Sequence, residues 1–241
     1  MDALATLLVY LALAATAAGA VSVIYPLRWI AIRSRKAALL VLGGGVAGFW
    51  LLTYLPVPEM RVYVVRTHLD QFVPAYQFGE FHSVYVNASK ERVYEAIHEV
   101  RPREIRLFHA LMSIRGLHGP AEDRPILASF TSGGFLPLGD DASEIVFGRA
   151  AHPGRVLRAD QFADDQEAPL LRIAMNFRIL EADAAHCLLT TETRVDALGG
   201  DMRRGFATYW RLIHPGSAII RRMWLRAIKE RAERGAPPEH T

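Results

Sequence analysis

"YWRLIHPGSAIIRRMWLRAIKERAER", residues 209–234, is the stretch on which the fold turns. Tyr209, Trp210 and Ile213 extend an apolar stripe that begins at Met202 and Phe206. Ile219, Ile220, Met223, Trp224, Ala227 and Ile228 continue one at helical spacing. Such a stripe marks a long helix with one face buried. Pro215 lies between the two halves. It cannot donate a helical hydrogen bond, and its ring presses on the carbonyl four residues back, so a kink or break is expected there.

A helix of this kind needs a surface to cover, and the segments before it supply one. "FHSVYVNA" (81–88) alternates as a strand, and "SKERVYEAIHEV" (89–100) follows as a helix with Ser89 as its N-cap. "REIRLFHALMSI" (103–114) reads as a second helix, with Ile105, Phe108, Leu111 and Met112 on one side. The period then changes to two. "PILASF", "SEIVFGRAA", "PLLRIAMNFRIL" and "HCLLTTETRV" read as strands, with "RVLRADQF" as a further candidate and "TSGGFLPLGDD" and "FADDQEAP" as turn-rich connections. In "LLRIAMNFRI", Leu171, Ile173, Met175, Phe177 and Ile179 point one way and Arg172, Asn176 and Arg178 the other. That is an antiparallel strand with one buried face and one wet face.

The order is strand, two helices, a run of strands, then one long helix. With "VYVNASKERVYEAIHEV" leading from strand to helix and "LLTTETRVDAL" as the last strand, residues 81–233 resemble the START-like helix-grip superfamily. That superfamily includes polyketide cyclases, lipid-transfer domains and plant pollen allergens. "TTETRV" followed by "FATYWRLIHPGSAIIRRMWLRAIKERAE" is similar to bacterial members without an assigned activity. The resemblance implies an α+β helix-grip fold, a curved antiparallel sheet wrapped around the last helix, with an apolar hollow between the two.

The N-terminus departs from that family pattern. Residues 3–27 and 37–58 carry no charge, and each run is long enough to span a bilayer core of ~30 Å. A signal peptide is the rival for the first run, but its n-region should be positive and here it is Asp2. A transmembrane hairpin over 1–58 is therefore expected. A linker over 59–79, the helix-grip domain over 80–235 and a disordered tail over 236–241 complete the domain reading. Ala15 and Gly19, and Gly44 and Gly48, have the small-residue spacing that lets spans approach. It serves either packing within the hairpin or a homodimer through the transmembrane helices. Arg28, Arg33, Arg35 and Lys36 place the intervening loop in the cytoplasm and the domain on the far side, although Arg61 and Arg66 weigh against that.

Subtracting the four basic residues and the one acidic residue before Pro58 from the totals of 28 and 25 leaves 24 of each. A domain of balanced charge gives no reason to expect a nucleic-acid partner. The single Cys187 excludes an internal disulfide, and no motif for metal, cofactor or nucleophilic catalysis is present. Glu192 and Arg194 are read either as a cavity acid with its partner or as a surface pair. His109 is read as a core histidine or an acid/base group. The basic run from Arg221 to Arg234 is read as a solvated face or a contact for anionic lipid heads. For a hydrophobic small molecule or lipid held between sheet and helix, the candidate contacts are Phe177, Thr191, Thr193, Phe206, Trp210 and Ile213. A membrane-tethered binding or transfer module, a cyclase- or hydrolase-like enzyme using the same hollow, and a structural protein with a filled core all remain open.

Overall fold

A computed structural model describes residues 3–25, 32–105, 107–114, 121–151, 162 and 170–234. The strand candidate "RVLRADQF", apart from Phe162, the loop residues 26–31 and the tail lie outside the described residues. The chain divides into two compact units. One is residues 1–58 with 203–214; the other is 59–202 with 215–241.

The first unit holds α1 (Ala3–Ile24) and α2 (Arg35–Thr53). Both are long and apolar enough to cross a membrane, a property that a signal sequence near the N-terminus shares. Ser34 caps α2, its hydroxyl accepting from the Ala37 N–H at 3.2 Å. The helices pack closely at Gly19 and Gly45. A Cβ on Gly19 would lie 2.5 Å from the Leu42 backbone nitrogen, and one on Gly45 would lie 2.6 Å from that of Thr16. A Cβ on Gly44, from the expected GxxxG, would meet nothing within 4 Å among the described residues. Residues 203–214 are stitched to the pair. The Tyr10 hydroxyl donates to the Leu212 carbonyl at 2.6 Å, and the Arg211 guanidinium donates to the carbonyls of Leu52 and Leu55 at the end of α2. A cation there suits the negative helix end.

The second unit is the α+β domain. After β1 (Met60–Arg61), α3 (His68–Phe72) and β2 (Ala75–Tyr76) come β3 (Phe78–Val86), α4 (Lys90–Glu99), a 3₁₀ turn (Pro102–Glu104), α5 (Phe108–Ile114) and α6 (Ile126–Ser132). Then follow β4 (Leu136–Asp140), β5 (Glu144–Ala151), β6 (Leu171–Asp183), β7 (His186–Ala197) and α7 (Gly200–Glu233). The five long strands form one antiparallel sheet in the order β3-β7-β6-β5-β4. Ile220, Trp224, Leu225, Ala227, Ile228 and Ala232 of α7 share a buried core with Ile145, Phe147, Met175, Phe177, Ile179 and Leu189 of that sheet. This is the expected helix-grip architecture.

Several elements differ from expectation. "PILASF" is helical in α6, not extended. Ile126, Leu127 and Phe130 turn one side inward, and Pro125 stands at the helix N-cap; six apolar residues alone do not separate the two readings. The second helix begins only at Phe108, after the 3₁₀ turn. The connection after Ser132 contributes β4. Ser89 occupies the N-cap position of α4 without a side-chain capping bond to the helix backbone. Helix α7 runs through Pro215 without a break.

The largest correction concerns the back of the sheet, part of which is covered. Leu69, Val73, Val146, Phe162 and Ala174 form a second buried cluster there, so residues 59–79 are a folded cover where a linker was expected. Gly148 makes room for it: a Cβ there would lie 2.6 Å from the Phe162 ring. Of the residues expected in water, Arg172 and Asn176 are buried with partners, as is Arg194, while Arg178 is partly exposed. Arg194 pairs with Asp70 at 2.8 Å and Glu192 at 2.6 Å, and its guanidinium lies 4.8 Å from the centre of the Tyr76 ring. Arg172 pairs with Asp196 at 3.2 Å. Asn176 donates to Glu144 at 2.6 Å, and Glu144 also accepts the His68 N–H at 2.8 Å. The Glu192/Arg194 pair is thus neither a cavity acid nor a surface decoration. It fastens the cover.

Candidate functional site

The helix-facing side of the sheet follows from register. Directly opposed residues of antiparallel strands share a face. Ile145, Phe177, Thr191 and His82 form one row across β5, β6, β7 and β3; Phe147, Met175, Thr193 and Glu80 form the next. Toward β5 the rows are apolar, and the Trp224 ring stands edge-on to Phe177 with centroids 4.8 Å apart and stacks on Phe130 at 5.5 Å. Toward β3 they turn polar.

Glu80, His82, Thr193 and Arg221 make up that polar end. The His82 Nε2 and a Glu80 carboxylate oxygen are 2.6 Å apart, with side chains 12% and 2% exposed. Arg221, on α7, donates to the Thr193 hydroxyl at 2.9 Å, lies 3.1 Å from the Met175 sulfur and places its guanidinium 5.5 Å from the Trp224 ring centre. The other Glu80 oxygen, Oε2, and the Trp224 indole Nε1 are buried without a hydrogen-bond partner among the described residues. A buried acceptor and a buried donor left unmade each cost roughly 1–3 kcal/mol.

Of the six expected contacts, Phe177, Thr191 and Thr193 lie on this face. Phe177 is fully buried beside Trp224, and the Thr191 hydroxyl donates to the Asn176 carbonyl at 2.7 Å. Phe206, Trp210 and Ile213 belong to the first unit, where the Phe206 and Trp210 rings stack at 6.0 Å and Trp210 lies 5.4 Å from His214. The six are not gathered in one compact unit. Glu80, His82 and Arg221 were not singled out by sequence as a site. The signal that finds the first two is the i,i+2 spacing of "EFH" on a strand, which sets both on one face.

His109 is half-exposed, its Nε2 3.9 Å from a Glu122 oxygen. The basic run on α7 is mostly paired. Arg231 donates to Glu99 and Glu104, Arg234 to Glu104, and Lys229 to the Tyr85 carbonyl. The Glu99 bond sets the Arg231 pKa above its usual value, with Glu104 adding to it, against burial, which alone would lower it. Burial would raise the Glu104 carboxyl, but the Arg101 N–H and Arg231 outweigh it and hold it below the usual range. A groove of about 270 Å³ lined by Arg92, Glu95, Ala96, Glu99, Arg231 and Ala232 lies beside them. Its charged, open lining suits no apolar guest.

No family model matches the chain, and no curated protein matches it. Solved structures similar to it include the Zhui aromatase/cyclase of Streptomyces sp. R1128, at 16% identity over 67% of this chain and 96% of that one, TM-score 0.31. The self-sacrificing resistance protein CalC of Micromonospora echinospora aligns at 13% identity over 67% and 97%, TM-score 0.36. A START superfamily protein of Mycobacterium smegmatis aligns at 11% over 66% and 99%, TM-score 0.26. Scores of this size carry no inference about activity. The fold assignment rests on the strand order and helix packing above.

Proposed function

We propose that this chain is a membrane-tethered module that binds a lipid or other largely apolar small molecule bearing a hydroxyl group, held between the sheet and the second half of α7. The observation that carries the reading is the polar end of an otherwise apolar face, above all Glu80, buried with one carboxylate oxygen unmatched among the described residues. A ligand hydroxyl donates to such an oxygen and accepts from a group such as the Trp224 indole N–H, offsetting the cost of leaving both unmade. Phe177, Met175 and Phe130 offer the apolar surround that small-molecule sites use, with few polar groups to fix orientation.

The tether is α1 and α2, whose Leu7, Leu11, Leu39, Leu40, Trp50 and Leu51 are exposed as lipid-facing residues are. The basic residues 28–36 put the domain on the extracytoplasmic side. A homodimer through the spans would use Gly43 and Gly44, where an added Cβ would meet nothing within 4 Å among the described residues.

A second reading has one observation in its favour. A carboxylate-oriented imidazole, as in Glu80–His82, is the arrangement of a general acid/base. One experiment separates the two: native mass spectrometry of the full chain in detergent, wild type and Glu80→Met, with added hydroxylated lipid. Binding predicts a retained, unaltered ligand whose affinity falls roughly ten- to a hundredfold in the variant, the worth of one hydrogen bond to a charged group. Recovery of the ligand at an altered mass, abolished by His82→Asn, selects the enzyme. Wild-type protein that retains nothing sinks both.

A further inference from the structure

The loop joining β1 to α3 exposes three consecutive large apolar residues: Tyr63, Val64 and Val65 are 89%, 61% and 59% exposed. Nothing about it is slack at the base. The Val62 N–H donates to the Pro74 carbonyl at 2.8 Å on one side. On the other, the N–H groups of Arg66 and Thr67 donate to Asp70 at 2.8 and 2.9 Å, and Thr67 and Asp70 form a capping box on α3. A pinned loop that holds an apolar tip in water is an unfavourable arrangement unless something covers the tip.

Its place in the chain says what does. Tyr63 follows Leu55, at the end of the second apolar helix, by eight residues, which reach at most about 29 Å when extended. Tyrosine is favoured at the membrane–water interface, where its ring lies among the headgroups. The tip is bracketed by Arg61 and Arg66, the former paired with Glu59 at 3.0 Å and the latter exposed. Cations flanking an apolar tip match a surface whose phosphates overlie hydrocarbon.

We infer that Tyr63, Val64 and Val65 form a second membrane contact, seated in the interfacial layer of the leaflet from which the second span emerges, with Arg66 toward lipid phosphates. The inference rests on the membrane reading of α1 and α2. It gives the domain a contact with the bilayer besides the two spans.

The test uses the full chain in phospholipid vesicles. Val64→Cys, and separately Val65→Cys and Leu40→Cys, are labelled with an environment-sensitive fluorophore; Cys187 is fully buried, and unsubstituted protein serves as the blank. Lipids carry a nitroxide at the headgroup or at mid-chain. The expected result is quenching of about twofold or more at 64 and 65, stronger from the headgroup nitroxide, as for an interfacial residue, with Leu40 quenched from mid-chain. If Leu40 is quenched and neither loop position is, the spans stand and the loop contact is wrong. Blue-shifted loop emission without nitroxide quenching means that a protein surface covers the tip, and it also overturns the proposal. An unquenched Leu40 refutes the membrane reading itself, and the loop contact falls with it.

Discussion

Replacing Asp70 by Asn removes one charge from the clasp that fastens residues 59–79 to the back of the sheet. Asp70 and Arg194 are 2.8 Å apart, with side chains 5% and 6% exposed. Removing one partner of a buried ion pair typically costs 3–5 kcal/mol because the other charge is stranded. Here Glu192 stays 2.6 Å from Arg194, and the Val73 carbonyl accepts from it at 3.2 Å. Asp70→Asn should therefore fall at the low end, about 3 kcal/mol. Arg194→Met strands Asp70 beside only the N–H groups of Arg66 and Thr67 and the Thr67 hydroxyl, and should cost about 4 kcal/mol. The double variant should cost less than the two together, by about 1–3 kcal/mol, since the second change removes a charge already stranded. Acid provides an independent check. Burial would raise the Asp70 carboxyl, but the Arg66 N–H, Arg194 and Thr67 more than reverse this and hold it below its usual range. A folded-state pKa below the unfolded value, about 3.9, contributes stability that is full above that value. It is lost as pH falls through the folded pKa. Wild type should thus lose more stability on acidification than Asp70→Asn does. Denaturant unfolding of the full chain in non-ionic detergent, followed by tryptophan emission at several pH values, measures both effects. A variant within about 0.5 kcal/mol of wild type, with the same pH profile, would refute the clasp.

Phe177→Ala opens a void beneath Trp224 and should cost about 3–5 kcal/mol in the same unfolding assay. In the hairpin, Gly19→Val and Gly45→Val should force the helices apart and lower the temperature at which detergent-solubilised protein aggregates. Glu104→Gln weakens contacts to partly exposed Arg231 and Arg234 and should cost only about 1 kcal/mol, less at high salt, as the midpoint of unfolding with and without added salt will show.

Periodicity carried much of this fold because the strands near the core alternate cleanly. Leu171 to Ile179 can be read with no partner in view, and the α7 stripe names its own buried face. What escaped were features that depend on a distant residue. Arg172 and Asn176 look like surface positions until Asp196 and Glu144 are known to face them. "PILASF" is too short to choose between periods, and packing against α4 decides for helix: the Ile126 N–H donates to the Val100 carbonyl. The site was half legible. Phe177, Thr191 and Thr193 follow from alternation, but Glu80 fell just ahead of the strand read from Phe81, and Arg221 was counted with a solvated face. Polar residues on an apolar face break the very pattern used to find that face, so pattern reading passes over them.

Strand β3 also has a consequence for how the protein is made. Its partner is β7, with Phe78 opposite Val195, more than a hundred residues later in synthesis. At 5–20 residues per second, the edge of β3 waits roughly 6 to 23 seconds for its neighbour to leave the ribosome. Closing so long a loop is slow, because its entropy is lost before any contact is gained. Both apolar helices precede β3, so they emerge first. The domain must then complete its sheet in place, and an unpaired β3 with Phe81 and Tyr85 exposed is the segment a chaperone should find first.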